Sequence, residues 1–136
     1  MYTLLIDDDP IAIFLTQRLL EHEGLSVTAA SFQSPAEGLT FLLRQIPAGL
    51  APQVILLDLN MPLLSGWDFL DLLKRHEVQL QGQCIVYLLT SSMAPADEVR
   101  AKTYPLVAGL LHKPLDKGKI QQIRDHVLPA ASPKDS

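Results

Sequence analysis

The stretch LLIDDDP, residues 4–10, places three consecutive acidic residues directly after a short apolar run. A run of this length, rich in Leu and Ile, is typical of a strand that is buried on both faces of a sheet. The acidic residues then lie at the carboxyl end of that strand. Carboxylates crowded against a buried strand are costly, so this stretch indicates a site as well as a fold.

Four further apolar runs follow the first, which spans residues 2–6. VILLDL at 54–59 and CIVYLL at 84–89 are clear strand candidates, and LSVTAAS at 25–31 and VAGLL at 107–111 are weaker ones. The sequence therefore predicts five strands.

Segments with helical periodicity separate these runs. Ser34 as N-cap, Pro35 at the first helical position and Glu37 in a capping box predict a helix at 34–46. Three more helices are predicted, at 65–76, at about 95–104 and at 116–127.

The remaining helix, which begins at Asp9 and Pro10 and ends before Gly24, has one strongly apolar face. Its spacing of three and four residues brings together the side chains of Ile11, Phe14, Leu15 and Leu19. In the helix at 65–76, the residues expected to face inward are Trp67, Phe69, Leu70 and Leu73. We expect the apolar face of each of these two helices to pack against the core.

Strand and helix alternate five times, which is typical of a doubly wound α/β domain with helices on both faces of a parallel sheet. The length of 136 residues fits one such domain. Segment 128–136 is polar, contains proline and is too short to pack independently, so we expect a flexible tail there and no output domain.

The composition argues against several classes of protein. A net charge of −4 gives no basic surface for nucleic acid, and one cysteine, Cys84, cannot form an internal disulfide. No apolar stretch reaches the length of a membrane span, and the amino terminus lacks the features of a signal peptide. We therefore expect a cytoplasmic protein that binds neither nucleic acid nor membrane.

Polar residues follow four of the predicted strands. Because parallel strands end at the same edge of an open α/β sheet, these residues are expected to meet there: Asp7 and Asp8, Asp58, Thr90 and Lys113. Carboxylates ~5 Å apart repel by ~3 kcal/mol per pair at an effective dielectric of 20, so three of them require cations.

Lys113 supplies one positive charge, and a divalent metal ion would supply two. The available ligands are carboxylates and a loop carbonyl such as that of Asn60, which favours Mg²⁺ or Mn²⁺. A carboxylate beside such an ion, with a hydroxyl and an ammonium nearby, is suited to phosphoryl transfer. Asp58 would be the nucleophile, and Thr90 and Lys113 would bind the phosphoryl oxygens.

The motifs LLIDDDP, VILLDLNMP, YLLTSS and LLHKP, in this order, resemble the receiver domain of two-component response regulators. The resemblance covers about residues 3–127 and implies a flavodoxin-like sheet of order 2-1-3-4-5 with five helices, with 1–127 as the receiver domain.

The resemblance also implies residue roles. Asp7 and Asp8 match the metal-binding pair, Asp58 the phosphoacceptor, and the Asn60 backbone carbonyl a third metal ligand. Thr90 matches the switch hydroxyl and Lys113 the lysine that pairs with the phosphoryl group. Pro114 matches a proline that usually follows a cis peptide bond. Leu110 departs from the pattern, because many members have an aromatic residue there that moves with the threonine.

By the same resemblance, the phosphoryl group comes from a phosphohistidine on a sensor histidine kinase or a histidine phosphotransfer protein. Such a donor would dock near the first helix and the loop after the fifth strand. The output would be a protein contact made by the face of the fourth helix, fifth strand and fifth helix. The domain would catalyse only its own phosphorylation and dephosphorylation, and would not otherwise be an enzyme.

Two alternatives remain. In a phosphatase resembling the haloacid dehalogenase superfamily, Asp7 would be the nucleophile and Asp9 the acid/base, but Asp58 would be idle and the expected later pair of acids is lacking. A receiver-like docking module that is never phosphorylated would not need the complete acidic set.

Overall fold

The computed structural model describes residues 2–24 and 30–127 and has a five-stranded parallel sheet at its centre. The strands are β1 Thr3–Ile6, β2 Ala30–Phe32, β3 Val54–Asp58, β4 Ile85–Thr90 and β5 Val107–His112. Their order, β2-β1-β3-β4-β5, confirms the predicted topology. Most of the second predicted strand, residues 25–29, lies outside the described residues.

The described residues form five main helices, as predicted. They are α1 Pro10–His22, α2 Pro35–Gln45, α3 Gly66–Leu73, α4 Pro95–Ala101 and α5 Lys117–Val127. A 3₁₀ turn at Lys74–His76 and a single helical turn at Glu77–Leu80 continue the chain after α3. None of the helices in this part of the chain has the length and apolar character needed to cross a membrane.

Side-chain caps fix where α2 and α3 begin. The Ser34 hydroxyl accepts the Glu37 N–H at 3.3 Å at the start of α2. The complete capping box lies at α3, where Ser65 accepts the Asp68 N–H and the Asp68 carboxylate accepts the Ser65 N–H, each at 3.1 Å. Each cap satisfies backbone groups that the first helical turn leaves without partners.

The core has two layers, because alternate strand residues point to opposite faces of the sheet. On one face, Leu4, Ile6, Ile55 and Leu57 pack with α2 and α3, including the inward residues Phe69, Leu70 and Leu73. Trp67 is only partly buried against this layer. On the other face, Leu5, Leu56 and Tyr87 pack with residues of α1 and α5: Ile13, Leu20, Ile120 and Ile123.

The predicted inward face of α1 is wrong. Ile11, Phe14 and Leu15 are 67, 56 and 57% exposed, and the buried residues are Ile13, Thr16 and Leu20. Leu19 is partly buried against the second layer. Residues 13, 16 and 20 have the same helical spacing as the apolar set, so periodicity alone allows either stripe to face the sheet. The stripe that is buried contains a threonine, and three large apolar side chains remain on the surface.

Candidate functional site

The three predicted carboxylates lie together at the carboxyl edge of the sheet. Asp58 is the last residue of β3, and Asp7 and Asp8 directly follow the neighbouring strand β1. One carboxylate oxygen of each lies within 4.8 Å of the others. Asp7 is 1% and Asp58 4% exposed, whereas Asp8 lies on the surface. Because the burial of charged groups removes them from water, the two buried carboxylates lower the stability of the fold.

Lys113 lies between the two buried carboxylates. Its Nζ is 2.9 Å from Asp7 Oδ2 and 3.5 Å from Asp58 Oδ2. The lysine directly follows β5, and the peptide bond between it and Pro114 is cis. One ammonium thus pairs with two of the three carboxylates, and the cluster keeps a net negative charge.

The pKa of Asp58 is raised to about 7. The largest cause is burial, followed by the negative charge of Asp7; the charge of Lys113 and the Asn60 N–H, which donates to Asp58 Oδ1 at 3.4 Å, act in the opposite direction. Burial lowers the pKa of Lys113, but its hydrogen bond to Asp7 and the charge of Asp58 outweigh burial and raise that pKa overall. Without a further cation, burial and the charge of Asp7 therefore disfavour the charged form of Asp58.

The other acidic residue of the motif, Asp9, has a structural partner. Its carboxylate accepts the Ile11 N–H at 2.9 Å and caps α1, while its own N–H donates to Asp7 Oδ1 at 2.9 Å. The cap orients Asp9 along the helix start, and the second bond holds the Asp7 carboxylate in place.

The oxygens of this cluster suit a hard divalent cation. They are carboxylates without any soft sulfur or imidazole ligand among them. Asn60 lies two residues past Asp58, where its carbonyl stays a predicted additional ligand. The residues present fit a Mg²⁺ ion on charge and on ligand type.

Gly66 allows α3 to begin close to the site. A Cβ at this position would lie 2.8 Å from the Asp58 carbonyl oxygen and 2.9 Å from Leu59 Cα. The Gly66 N–H donates to the Leu59 carbonyl at 3.0 Å. A side chain here would displace the backbone at the end of β3, where the phosphoacceptor candidate lies, because both close atoms belong to the backbone.

Thr90, the last residue of β4, is fully buried at the same edge of the sheet. Its hydroxyl donates to the Ser92 carbonyl at 2.9 Å and accepts the Ser92 N–H at 3.1 Å. The hydroxyl is thus engaged with the loop that follows β4. Sequence reasoning did not identify Ser92, because nothing in its spacing distinguishes it from other loop serines.

Leu110 is partly buried against the core layer of α2 and α3. Aromatic residues lie elsewhere on that side of the sheet. The Trp67 and Tyr104 rings stack with centroids 5.7 Å apart, and the Arg100 guanidinium lies 4.5 Å from the Trp67 ring centroid. The Tyr104 hydroxyl donates to Asp71 on α3 at 2.8 Å. We call Trp67, Asp71, Arg100 and Tyr104 the α3–α4 aromatic cluster; the sequence analysis did not identify it.

Comparison with known proteins gives a consistent result. The family model for the response regulator receiver domain matches residues 3–125. The transcriptional regulatory proteins GlrR of Escherichia coli K12 and QseF of Escherichia coli O157:H7 are each 33% identical over 133 residues, 97% of this chain. The chain spans only 27% of the length of these two relatives.

A solved structure with both sequence and fold similarity is a two-component response regulator from Cytophaga hutchinsonii. It is 32% identical and superposes with a TM-score of 0.88, covering 95% of this chain and 97% of that one. The family model and these relatives together cover nearly all of the described residues, and the chain belongs to the receiver-domain family of two-component response regulators.

Proposed function

We propose that this receiver domain accepts a phosphoryl group on Asp58, with Mg²⁺ as cofactor, and uses the modification to change its contacts with other proteins. The observation that carries the proposal is the position of Asp58. It is a buried carboxylate at the end of a central strand, 3.5 Å from Lys113 and grouped with two further acidic residues.

In the proposed reaction, a carboxylate oxygen of Asp58 attacks the phosphorus of a phosphohistidine. A P–O bond forms as the P–N bond breaks, and the electron pair of that bond stays on the imidazole, which then takes up a proton. In this proposal Lys113 would neutralise charge on the phosphoryl oxygens, and Thr90 would donate a hydrogen bond to them. Asp7, Asp8, Asp58 and the Asn60 carbonyl would hold Mg²⁺, which when bound supplies positive charge for phosphoryl transfer.

The exposed side of α1 supports docking of a protein donor beside this site. Ile11 and Leu15 line a cavity of about 510 Å³ that also includes Lys113, Pro114 and Leu115. An exposed apolar surface next to the reactive groups is typical of a protein interaction site. We propose that a histidine kinase or a histidine phosphotransfer protein binds here.

We propose the surface of α4, β5 and α5 as the region that contacts a downstream protein. The loop after Thr90 leads directly into α4, so a movement of Thr90 would displace the residues at the start of α4. GlrR and QseF are by name transcriptional regulatory proteins. Their activity and that of this protein need not coincide, because the match covers only about a quarter of each relative.

Intact mass after incubation with Mg²⁺ and acetyl phosphate tests the proposal without any partner protein. Wild type is expected to gain one phosphoryl group, and Asp58→Asn to gain none. Asp7→Asn is the matched variant, since it removes a buried carboxylate of the same cluster and should slow the gain without being the acceptor.

Phosphorylation of Asp58→Asn would overturn the assignment of Asp58. Loss that is confined to Asp7→Asn would favour the phosphatase-like alternative. If no variant gains mass and Mg²⁺ does not change the melting temperature, the domain acts as an unphosphorylated docking module.

A further inference from the structure

The loop between β4 and α4 is attached to the sheet at two consecutive residues. Ser92 is bound through both its N–H and its carbonyl to the Thr90 hydroxyl. The preceding residue, Ser91, has its carbonyl oxygen 3.2 Å from Nε2 of His112 at the end of β5. The backbone directly after Thr90 is therefore bonded to side chains from two strands, to Thr90 on β4 and to His112 on β5.

The His112 ring donates in this contact, because a carbonyl oxygen can only accept. The proton in this contact therefore lies on Nε2. The backbone of His112 is also held in place. Thr90 and His112 are paired in the sheet, and Lys119 Nζ donates to the His112 carbonyl at 2.9 Å.

The Thr90 hydroxyl has a single proton, so it cannot donate to the Ser92 carbonyl and to a phosphoryl group at the same time. A phosphoryl group that accepted this proton would break the bond to Ser92, so binding it would turn a resting arrangement of the loop, with the Ser92 bond formed, into a released one with that bond broken. In the resting arrangement the Ser91 carbonyl also points at His112. Any contact made only in the resting arrangement opposes the release.

We propose that His112 is a positioning residue that stabilises the resting arrangement of the β4–α4 loop and so opposes the release of Thr90. The inference rests on the proposed function, because it assigns the regulation of the same site. His112 would thus restrain the loop in this chain. Leu110, which lies on the same strand, has no aromatic ring.

The expected effect has a definite sign. One neutral hydrogen bond changes an equilibrium by about 2- to 12-fold. A ligand that requires the released arrangement binds with an apparent affinity proportional to the fraction of protein in that arrangement. Removing the His112 donor should therefore tighten the binding of a phosphoryl analogue, which a variant that is merely damaged would not do.

The test is a titration of the Mg²⁺-saturated protein with the beryllium trifluoride anion, followed by the NMR signals of backbone amides near Asp58. His112→Ala is expected to bind the anion about 2- to 12-fold more tightly than wild type. His112→Gln keeps an N–H donor of similar reach and is expected to restore wild-type affinity. Before the anion is added, the Ser92 amide should exchange its hydrogen faster in His112→Ala than in wild type.

His76→Ala is the matched control. His76 is a half-buried histidine that, like His112, has one local hydrogen bond, between its Nδ1 and Gln79 at 3.1 Å, but it lies after α3. Its affinity for the anion should equal that of wild type. If His112→Ala does not fold, His112→Phe replaces it, since it keeps a ring and removes the donor.

Equal or weaker binding by His112→Ala overturns the inference, and so does a His112→Gln variant that behaves like alanine. Failure of the proposed function is distinguishable from both outcomes. In that case wild type itself does not bind the anion, or Asp58→Asn binds it as well as wild type does, and the inference falls with it.

Discussion

Asp58 is the residue at which the requirements of folding and of the proposed chemistry conflict. Burial and the nearby Asp7 raise its pKa to about 7, so that its charged form destabilises the metal-free protein. In the unfolded chain the same group titrates near its ordinary value of 3.8. Between these two values the folded protein binds a proton that the unfolded chain has released.

Stability should therefore fall as the pH rises through this window. Where the folded state holds more protons than the unfolded state, the free energy of unfolding decreases with pH. We expect the metal-free wild type to lose stability relative to Asp58→Asn between pH 3.8 and about 7. Urea unfolding of both proteins over this range measures the difference, and a difference that is flat or rises with pH would contradict the assigned pKa.

We expect a substitution of Lys113 to lower the free energy of unfolding of the unphosphorylated protein. Lys113→Met leaves Asp7 and Asp58 buried without their ammonium partner. Removing one member of a buried ionic group costs about 3 kcal/mol of unfolding free energy, and addition of Mg²⁺ should recover part of this loss. Lys117→Met, at an exposed lysine, should change stability by less than about 0.5 kcal/mol. Equal effects of the two substitutions in chemical denaturation would show that the ion pairs are not important.

At the scale of elements, α1 shows what periodicity leaves undetermined. Two stripes of this helix have the spacing of a buried face, and the sheet covers the stripe with Ile13 and Leu20. The strands were easier, because continuous apolar runs are buried on both sides and offer no choice of face. The candidate site followed from the strands alone, since the ends of parallel strands share one edge.

The parts of the site that the sequence did not reveal depend on loop geometry. The bonds from Thr90 to Ser92 and from His112 to Ser91 join side chains to backbone groups of a loop, and no repeat or spacing marks such pairs. The Tyr104 hydroxyl donates to Asp71, which lies 33 positions earlier in the chain, and no spacing in the sequence marks that pair either. These contacts require the fold before they can be recognised.

Substitutions on the two stripes of α1 should separate docking from stability. Leu15→Ser alters an exposed residue, so the free energy of unfolding should change by less than about 0.5 kcal/mol, and the rate with acetyl phosphate should not change. Phosphotransfer from a phosphohistidine protein that modifies wild type should become slower. Ile13→Ala, on the buried stripe, should instead cost about 2 to 5 kcal/mol. An unchanged phosphotransfer rate in Leu15→Ser would argue against docking at this surface.

At the scale of the whole molecule, binding of a divalent cation to the acidic cluster would make the stability of the fold depend on the concentration of that cation. An ion that binds only the folded state adds about 2.7 kcal/mol to the free energy of unfolding at a concentration 100 times its dissociation constant. We therefore expect the melting temperature to rise with Mg²⁺ concentration.

Asp8→Asn should weaken this effect of Mg²⁺ without lowering the melting temperature of the metal-free protein, because it removes a repelling charge from the cluster. Asp125→Asn, an exposed acid on α5, is the control and should respond to Mg²⁺ as wild type does. A lower metal-free melting temperature in Asp8→Asn would contradict the repulsion argument. An equal Mg²⁺ response in the two variants would remove Asp8 from the metal site.

The α3–α4 aromatic cluster has a spectroscopic consequence. Trp67 is the only tryptophan in the chain, and its ring lies against Tyr104 and beneath the guanidinium of Arg100 on α4. Indole emission responds to a nearby cation and to contact with water. Its fluorescence therefore reports, without an attached dye, whether α4 keeps its resting contact with α3.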